Sequence, residues 1–250
     1  MPYAETVQSQ RLYNVVAESY GRVFERAILA EGRLTAIVRC YVDGKSVLDL
    51  ACGTGRWLVR FSPRDYVGLD LNERMLEQAR QTFPAYEFVQ GDMTNLPFAD
   101  CTFEAVVSLF GGMGHLPQNG QRQMMGESWR VLKPGGIAIF TNGNRWSPFN
   151  LPMILTANRV RIEGLRVRLH PSRPKLFTAE VTESGFNLLE LSSYDYSYLP
   201  ITLLKFAAYL FGRDHQRIYS GLMEVLESCH HIPTVRWFGK QLVAVCEKPI

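Results

Sequence analysis

The chain has 250 residues, with 27 Lys and Arg against 24 Asp and Glu and a formal net charge of +3. That length suits one generous α/β domain, or a domain carrying inserts, rather than two complete folds. A content of 46% hydrophobic and 20% charged residues excludes a disordered, collagenous or coiled-coil chain. The basic excess is too slight to argue for nucleic acid. Five scattered cysteines with no CxxC point to neither a disulfide framework nor a metal site. The opening MPYAETVQSQR lacks the apolar run of a signal peptide. The longest apolar stretch, Leu199 to Gly212, is too short to span a bilayer and contains Lys205. A soluble, cytoplasmic protein is expected.

In chain order, Thr6 to Tyr41 read as helices, because Leu12, Val15, Val16 and Tyr20, then Val23, Phe24, Ala27 and Ile28, recur at helical spacing. Beyond Asp43-Gly44 short apolar runs alternate with amphipathic stretches. Strands are expected at 46–50, 66–69, 86–90, 105–109 and 137–141, with helices at about 56–62, 73–83 and 121–132. The Pro134-Gly135-Gly136 break is expected to end the last of these helices. A helix at 178–185, a strand at 186–191 and a final strand at 241–247 complete the pattern. Strand-helix-strand repetition implies an α/β fold, with a mostly parallel sheet covered by helices on both faces. The chain thus divides into a helical cap (1–42), a core (43–141), a basic insert (142–177) and C-terminal sheet elements (178–250) holding a second, helical insert (197–233).

The strongest signal is Val47-Leu48-Asp49-Leu50-Ala51-Cys52-Gly53-Thr54-Gly55-Arg56-Trp57, an apolar strand running into a small-residue turn that opens a helix. Glycines let backbone approach a ligand closely, and a helix N-terminus offers free N–H groups. Asp70 ends the second strand, where doubly wound nucleotide-binding folds place a carboxylate for ribose hydroxyls. Asp92 follows the third, where its oxygen could accept from an adenine amino group. Three carboxylates past three strands would line one crevice, or each could be a helix cap or turn residue. A dinucleotide fingerprint would need a third glycine where Leu58 stands, and no triphosphate-binding G-x-x-x-x-G-K-[ST] occurs. A nucleoside without phosphates fits better.

VLDLACGTGRW, YVGLDLN, VQGDMTNLPF, VVSLFGGMGHL and WRVLKPGG, in that order and spacing, resemble the class I S-adenosylmethionine-dependent methyltransferases, in particular the branch with quinone-biosynthesis and small-molecule enzymes. The resemblance covers about Tyr13 to Thr141 and implies a doubly wound, Rossmann-like sheet of seven strands, the last antiparallel. It implies S-adenosylmethionine as cofactor. Asp49 and the turn Ala51, Cys52, Gly53 and Gly55 would hold the methionine portion; Asp70, with Leu71 and Met75, the ribose side; and Gly91, Asp92 and Met93 the adenine. Ser108, Leu109 and Phe110 would pass beside the sulfonium, while Tyr13 and Tyr20 match an aromatic pair in the family's entry helix or serve as core residues. Ala51 departs from the family's usual glycine, a mild change.

Methyl transfer from a sulfonium needs alignment, desolvation and, for some acceptors, a base. His115, in Gly111-Gly112-Met113-Gly114-His115, is the candidate base, since an ordinary imidazole titrates near 6.5; otherwise it caps or shapes the loop. No metal is expected, since the neighbours Cys229-His230-His231 would point apart on a helix. The stretch 159–169 alternates around Glu163-Gly164 as a two-residue hairpin. In that register Arg161 opposes Arg166 and Arg159 opposes Arg168, and like charges in such pairs repel. Residues 142–175 hold seven basic residues and one acid, Glu163; residues 1–140 hold 14 basic and 15 acidic residues, and 141–250 hold 13 and 9. Arg161 and Arg166 could form a solvated edge, an anion site for the acceptor, or a contact to RNA or an anionic membrane. Aromatic residues of the second insert, Tyr198 among them, suggest a lid over a hydrophobic or aromatic acceptor. The competing functions are a catalytically inactive binding protein of the same fold and a nicotinamide-dependent oxidoreductase.

Overall fold

The computed structural model describes residues 4–16, 32–147, 150, 159–162, 165–194 and 239–250. Helix α1 (Ala4–Val16) and helix α2 (Gly32–Val42) precede strand β1 (Ser46–Leu50). There follow β2 (Asp65–Asp70), α3 (Glu73–Thr82), β3 (Glu87–Gln90), β4 (Phe103–Ser108), α4 (Gln118–Val131) and β5 (Leu132–Gly143). The short strands β6 (Arg159–Ile162) and β7 (Leu165–Arg168) come next, then α5 (Pro174–Glu183), β8 (Asn187–Tyr194) and β9 (Gln241–Glu247).

Seven strands form one sheet in the order β3-β2-β1-β4-β5-β9-β8. The pairs from β3 to β5 are parallel, and β9 runs antiparallel to both β5 and β8. The doubly wound sheet and its reversed last strand are as expected. Central strands are mostly apolar because both faces are covered. Val47, Val107, Ile139 and Val245 face α2 on one side, while Leu48, Val106, Ala138 and Ala244 face α4 and α5 on the other. That is the period-two alternation of a strand between two apolar layers.

Two expectations need correction. The helix expected at 56–62 is a 3₁₀ segment, Arg56–Arg60, entered through Gly55 in the left-handed region at φ 71°. Pro134-Gly135-Gly136 does not end a helix: α4 stops at Val131, and the three residues lie within β5. The reason is pairing, since Gly135 N–H donates to Lys248 O and Lys248 N–H to Gly136 O, each at 2.9 Å. The C-terminal helix also starts earlier than expected, with Pro174 in its first turn, where a missing N–H costs nothing.

β6 and β7 pair in the expected register, Arg159 opposite Arg168 and Arg161 opposite Arg166. Val167 is only 1% exposed and packs with Leu12 and Met75, flanked by Tyr13 and Leu169. The hairpin therefore seats on α1. Tyr20, Tyr198, His215, Cys229, His230, His231 and the lid at 197–233 lie outside the described residues.

Candidate active site

Three backbone donors of the Gly-containing turn after β1 bond internally. Cys52 N–H donates to Leu69 O (3.1 Å), Gly53 N–H to Asp70 Oδ2 (2.9 Å) and Gly55 N–H to Cys52 O (3.0 Å). Three of the turn's N–H groups are thus folded into the scaffold, two of them against β2, and the segment that follows is 3₁₀ over Arg56–Arg60.

Asp70 is the hub of the wall. Its Oδ1 accepts from Asn72 N–H (2.8 Å) while Oδ2 holds Gly53. A carboxylate offers about four lone-pair positions, more than these two bonds fill. Burial raises its carboxyl above the usual range, opposed by the N–H groups of Asn72, Gly53 and Leu71. Asn72 caps α3 by accepting from Met75 N–H (3.2 Å) and donates to Asn14 Oδ1 (2.9 Å). Gln10 Nε2 donates to Leu71 O (3.2 Å). These bonds draw α1 across the crevice as a roof.

The crevice lies at the carboxyl ends of β1, β2, β3 and β4. Of the residues singled out from sequence, Tyr13, Ala51, Cys52, Gly53, Asp70, Leu71, Met75, Gly91, Asp92, Met93, Leu109, Phe110 and His115 line it. Asp92 also shapes its own turn, Oδ1 accepting from Thr94 N–H and Oγ1, each at 2.8 Å. Asp49, Gly55 and Ser108 lie behind this lining. Asp49 is 2% exposed and accepts from Tyr66 O–H at 2.8 Å. Burial, aided by neighbouring Asp70 and opposed by the Tyr66 bond, lifts its carboxyl to about 7. Burial and the carboxylates of Asp70 and Asp49 push the Cys52 thiol well up, so it is inert as a nucleophile at neutral pH.

Sequence reasoning missed Gln10, Arg56, Trp57, Asn72, Gly112 and Leu116, all in the crevice wall. Asn72 had a local signal, an Asn before Glu73 at a helix start; the others had none. The Arg56 guanidinium stacks 4.3 Å over the Phe110 ring. Ala51 and Phe110 hold φ of 57° and 58°, conformations that cost a side chain energy and cluster at functional sites.

His115 and Tyr13 meet across the crevice, Tyr13 Oη and His115 Nε2 2.9 Å apart and the rings edge-to-face at 5.4 Å. Burial, then His170, lowers the imidazole from 6.5 to about 4. It is therefore neutral over a wider range than the ordinary value suggested, and a weaker base. His170 N–H donates to Gly114 O (2.8 Å), and Asn142 Nδ2 reaches both His170 O and Gln121 Oε1. The end of the hairpin insert is thereby pinned to the loop carrying His115. Between pH 6.5 and about 4 the unfolded imidazole binds a proton that the folded one refuses, so stability falls as pH falls through that window. His115→Gln removes this contribution, and its stability measured by urea titration declines less than wild type from pH 6.5 to 4; parallel profiles would count against a depressed His115.

The sheet order, the reversed last strand and a crevice with Asp70 in its wall at the carboxyl ends of the parallel strands are those of the class I S-adenosylmethionine-dependent methyltransferase fold. Comparison with known proteins agrees. The family model described as a methyltransferase domain matches residues 47–136, so that segment is similar to methyltransferases. The chain is 37% identical over 107 residues to phthiotriol/phenolphthiotriol dimycocerosates methyltransferase 1 of Mycobacterium ulcerans, covering 40% of this chain and 38% of that protein. It is 35% identical over 139 residues to demethylmenaquinone methyltransferase of Thermotoga maritima, covering 52% and 59%. The matches thus span less than two thirds of these relatives. A solved S-adenosylmethionine-dependent methyltransferase from Thermotoga maritima superposes with a TM-score of 0.67 at 16% identity, covering 95% of this chain and 99% of the other. No helix among the described residues is long and apolar enough to cross a membrane.

Proposed function

We propose that this protein transfers the methyl group of S-adenosylmethionine to a small hydrophobic or aromatic acceptor, releasing S-adenosylhomocysteine. The observation that carries the reading is the Asp70 hub: a carboxylate in the crevice wall at the end of β2, braced by Gly53 and Asn72. A carboxylate at this place suits vicinal hydroxyls, and Leu58 where a third glycine would be needed disfavours a nicotinamide dinucleotide.

Asp70 would take the ribose, with Leu71 and Met75 beside it. Asp92, Met93 and Gly91 would take the adenine, and the Ala51–Gly55 turn the amino-acid tail. Arg56, a cation in the crevice wall, suits that tail's carboxylate. Tyr13, Leu109 and Phe110 would flank the methyl-bearing end, Asp49 and Ser108 supporting them from behind. When bound, the cofactor supplies an electrophilic methyl group, so the chain has to align the acceptor and exclude water. For an acceptor bearing a proton, His115 is the base: its neutral Nε2 lies 2.9 Å from Tyr13 Oη, and in the tautomer with the proton on Nδ1 it can take the phenol proton as the phenol oxygen receives the acceptor's. The names of the two relatives, a dimycocerosates and a demethylmenaquinone methyltransferase, support an apolar acceptor. Arg161 and Arg166, paired across the hairpin that seats on α1, would draw in an anionic partner.

Calorimetric titration tests the reading: micromolar binding of S-adenosylmethionine and none of NAD is expected. No binding of either ligand would leave only a scaffold. With an acceptor drawn from apolar phenols, quinols and fatty acids, exchanging Arg161 and Arg166 together for Gln raises the acceptor KM severalfold and leaves cofactor affinity alone; unchanged acceptor kinetics would remove the anion role.

A further inference from the structure

The start and end of the basic insert lie side by side. Asn144 bridges Ser172, and Arg145 N–H donates to Ser172 O at 2.9 Å. This juxtaposition brings Trp146, 52% exposed, next to the segment that carries Arg168, Arg173 and Lys175. All three cations are exposed, and none pairs with a carboxylate among the described residues. Arg168 stands directly opposite Arg159 in a hairpin whose next pair, Arg161 and Arg166, is again two arginines.

Three features of this patch run against stability. Like charges on directly opposed positions weaken a hairpin. Arg173, at the N-cap, and Lys175, in the first turn of α5, place positive charge at the positive end of a helix dipole, and that turn holds no acid. An exposed tryptophan leaves a large apolar surface in water. Protecting a strand edge accounts for a charge on the hairpin, but not for cations at the α5 N-terminus or for Trp146 beside them. A negatively charged surface with an apolar interior relieves all three at once: phosphates satisfy the guanidinium and ammonium groups, and an indole settles at the headgroup level.

We infer that the patch formed by Trp146, Arg168, Arg173 and Lys175 docks this protein peripherally on an anionic lipid surface. The hairpin packs on α1 through Val167, and α1 roofs the crevice, so docking sets the roof of the site against the membrane. This inference deepens the proposed function by naming the source of the acceptor, an apolar molecule held in a lipid bilayer, and rests on that reading only for this point.

Co-sedimentation with vesicles provides the test. The full chain is expected to pellet with phosphatidylglycerol vesicles at low salt, to stay in solution with phosphatidylcholine vesicles, and to be released by 0.5 M NaCl as screening shortens the reach of charge. At about fivefold per cation near such a surface, the R168Q/R173Q/K175Q variant partitions roughly a hundredfold more weakly. Trp146→Ala weakens binding independently of salt. Both variants keep wild-type binding of S-adenosylmethionine, which shows that they fold. Equal binding to both vesicle types, retention of vesicle binding by the triple variant, or binding of an RNA oligomer in place of vesicles would overturn the inference. Vesicle binding without any affinity for S-adenosylmethionine would refute the proposed activity and leave the docking intact; the converse would refute the docking alone.

Discussion

Asp70→Ala lowers affinity for S-adenosylmethionine by roughly a hundredfold or more, the largest effect expected of any single change in the crevice. A hydrogen bond to a charged partner contributes about 1.5–3 kcal/mol, and this carboxylate holds Gly53 N–H and Asn72 N–H at once. Its removal takes away the proposed ribose acceptor and unfastens the turn and the α3 cap from each other. The capping bond from Met75 N–H to Asn72 is local, so α3 survives and the loss falls on binding more than on folding. Asp70→Asn, which keeps one acceptor oxygen, gives an intermediate affinity. Isothermal titration reads both variants, and an Asp70→Ala affinity within threefold of wild type would remove the carboxylate from the cofactor site.

Gly112→Ala has the second large effect, and its cause is steric. A methyl placed on Gly112 would stand 2.6 Å from Ala51 Cβ, closer than two carbons can approach, with Leu50 O behind at 3.8 Å. Two loops of the crevice wall have to part to admit it, at about 1–3 kcal/mol for an overpacked site, and the crevice they line is distorted. A Tm lowered by about 2–9 °C is expected for a chain of this size, together with weaker cofactor binding. Ala51→Gly removes the obstructing methyl and also the positive-φ strain at φ 57°, so the double variant recovers most of the loss. Additive effects in that cycle would mean that the contact is not the cause. The alanine at position 51 is therefore milder than its strain suggests only because position 112 is glycine.

The sheet was legible because its information is local and periodic. Runs such as Ala105–Val107 and Ile137–Phe140 face apolar layers on both sides, and this burial writes itself into the sequence as unbroken hydrophobic stretches. Asp70 and Asp92 were legible for a related reason: a carboxylate just past a strand lies at the sheet's carboxyl edge whatever the rest of the chain does. Pro134-Gly135-Gly136 was not legible. Its conformation is decided by Lys248, more than a hundred residues away, whose backbone pairs with it across the sheet. The same distance dependence hid Gln10 and Arg56, whose places in the wall follow from the path of α1 and from stacking on Phe110.

The amino-acid sequence alone determined the class of fold, the position of the crevice and the hairpin register of the arginines, since each follows from periodicity or from residues adjacent along the chain. Only the tertiary structure decided that Gly53 N–H is tied to Asp70, that Asp49 sits behind the wall bonded to Tyr66, and that His115 is held near 4 with Tyr13 against it. Those properties belong to groups brought together from separate segments and desolvated by one another, and burial of this kind is written in no single stretch of the chain.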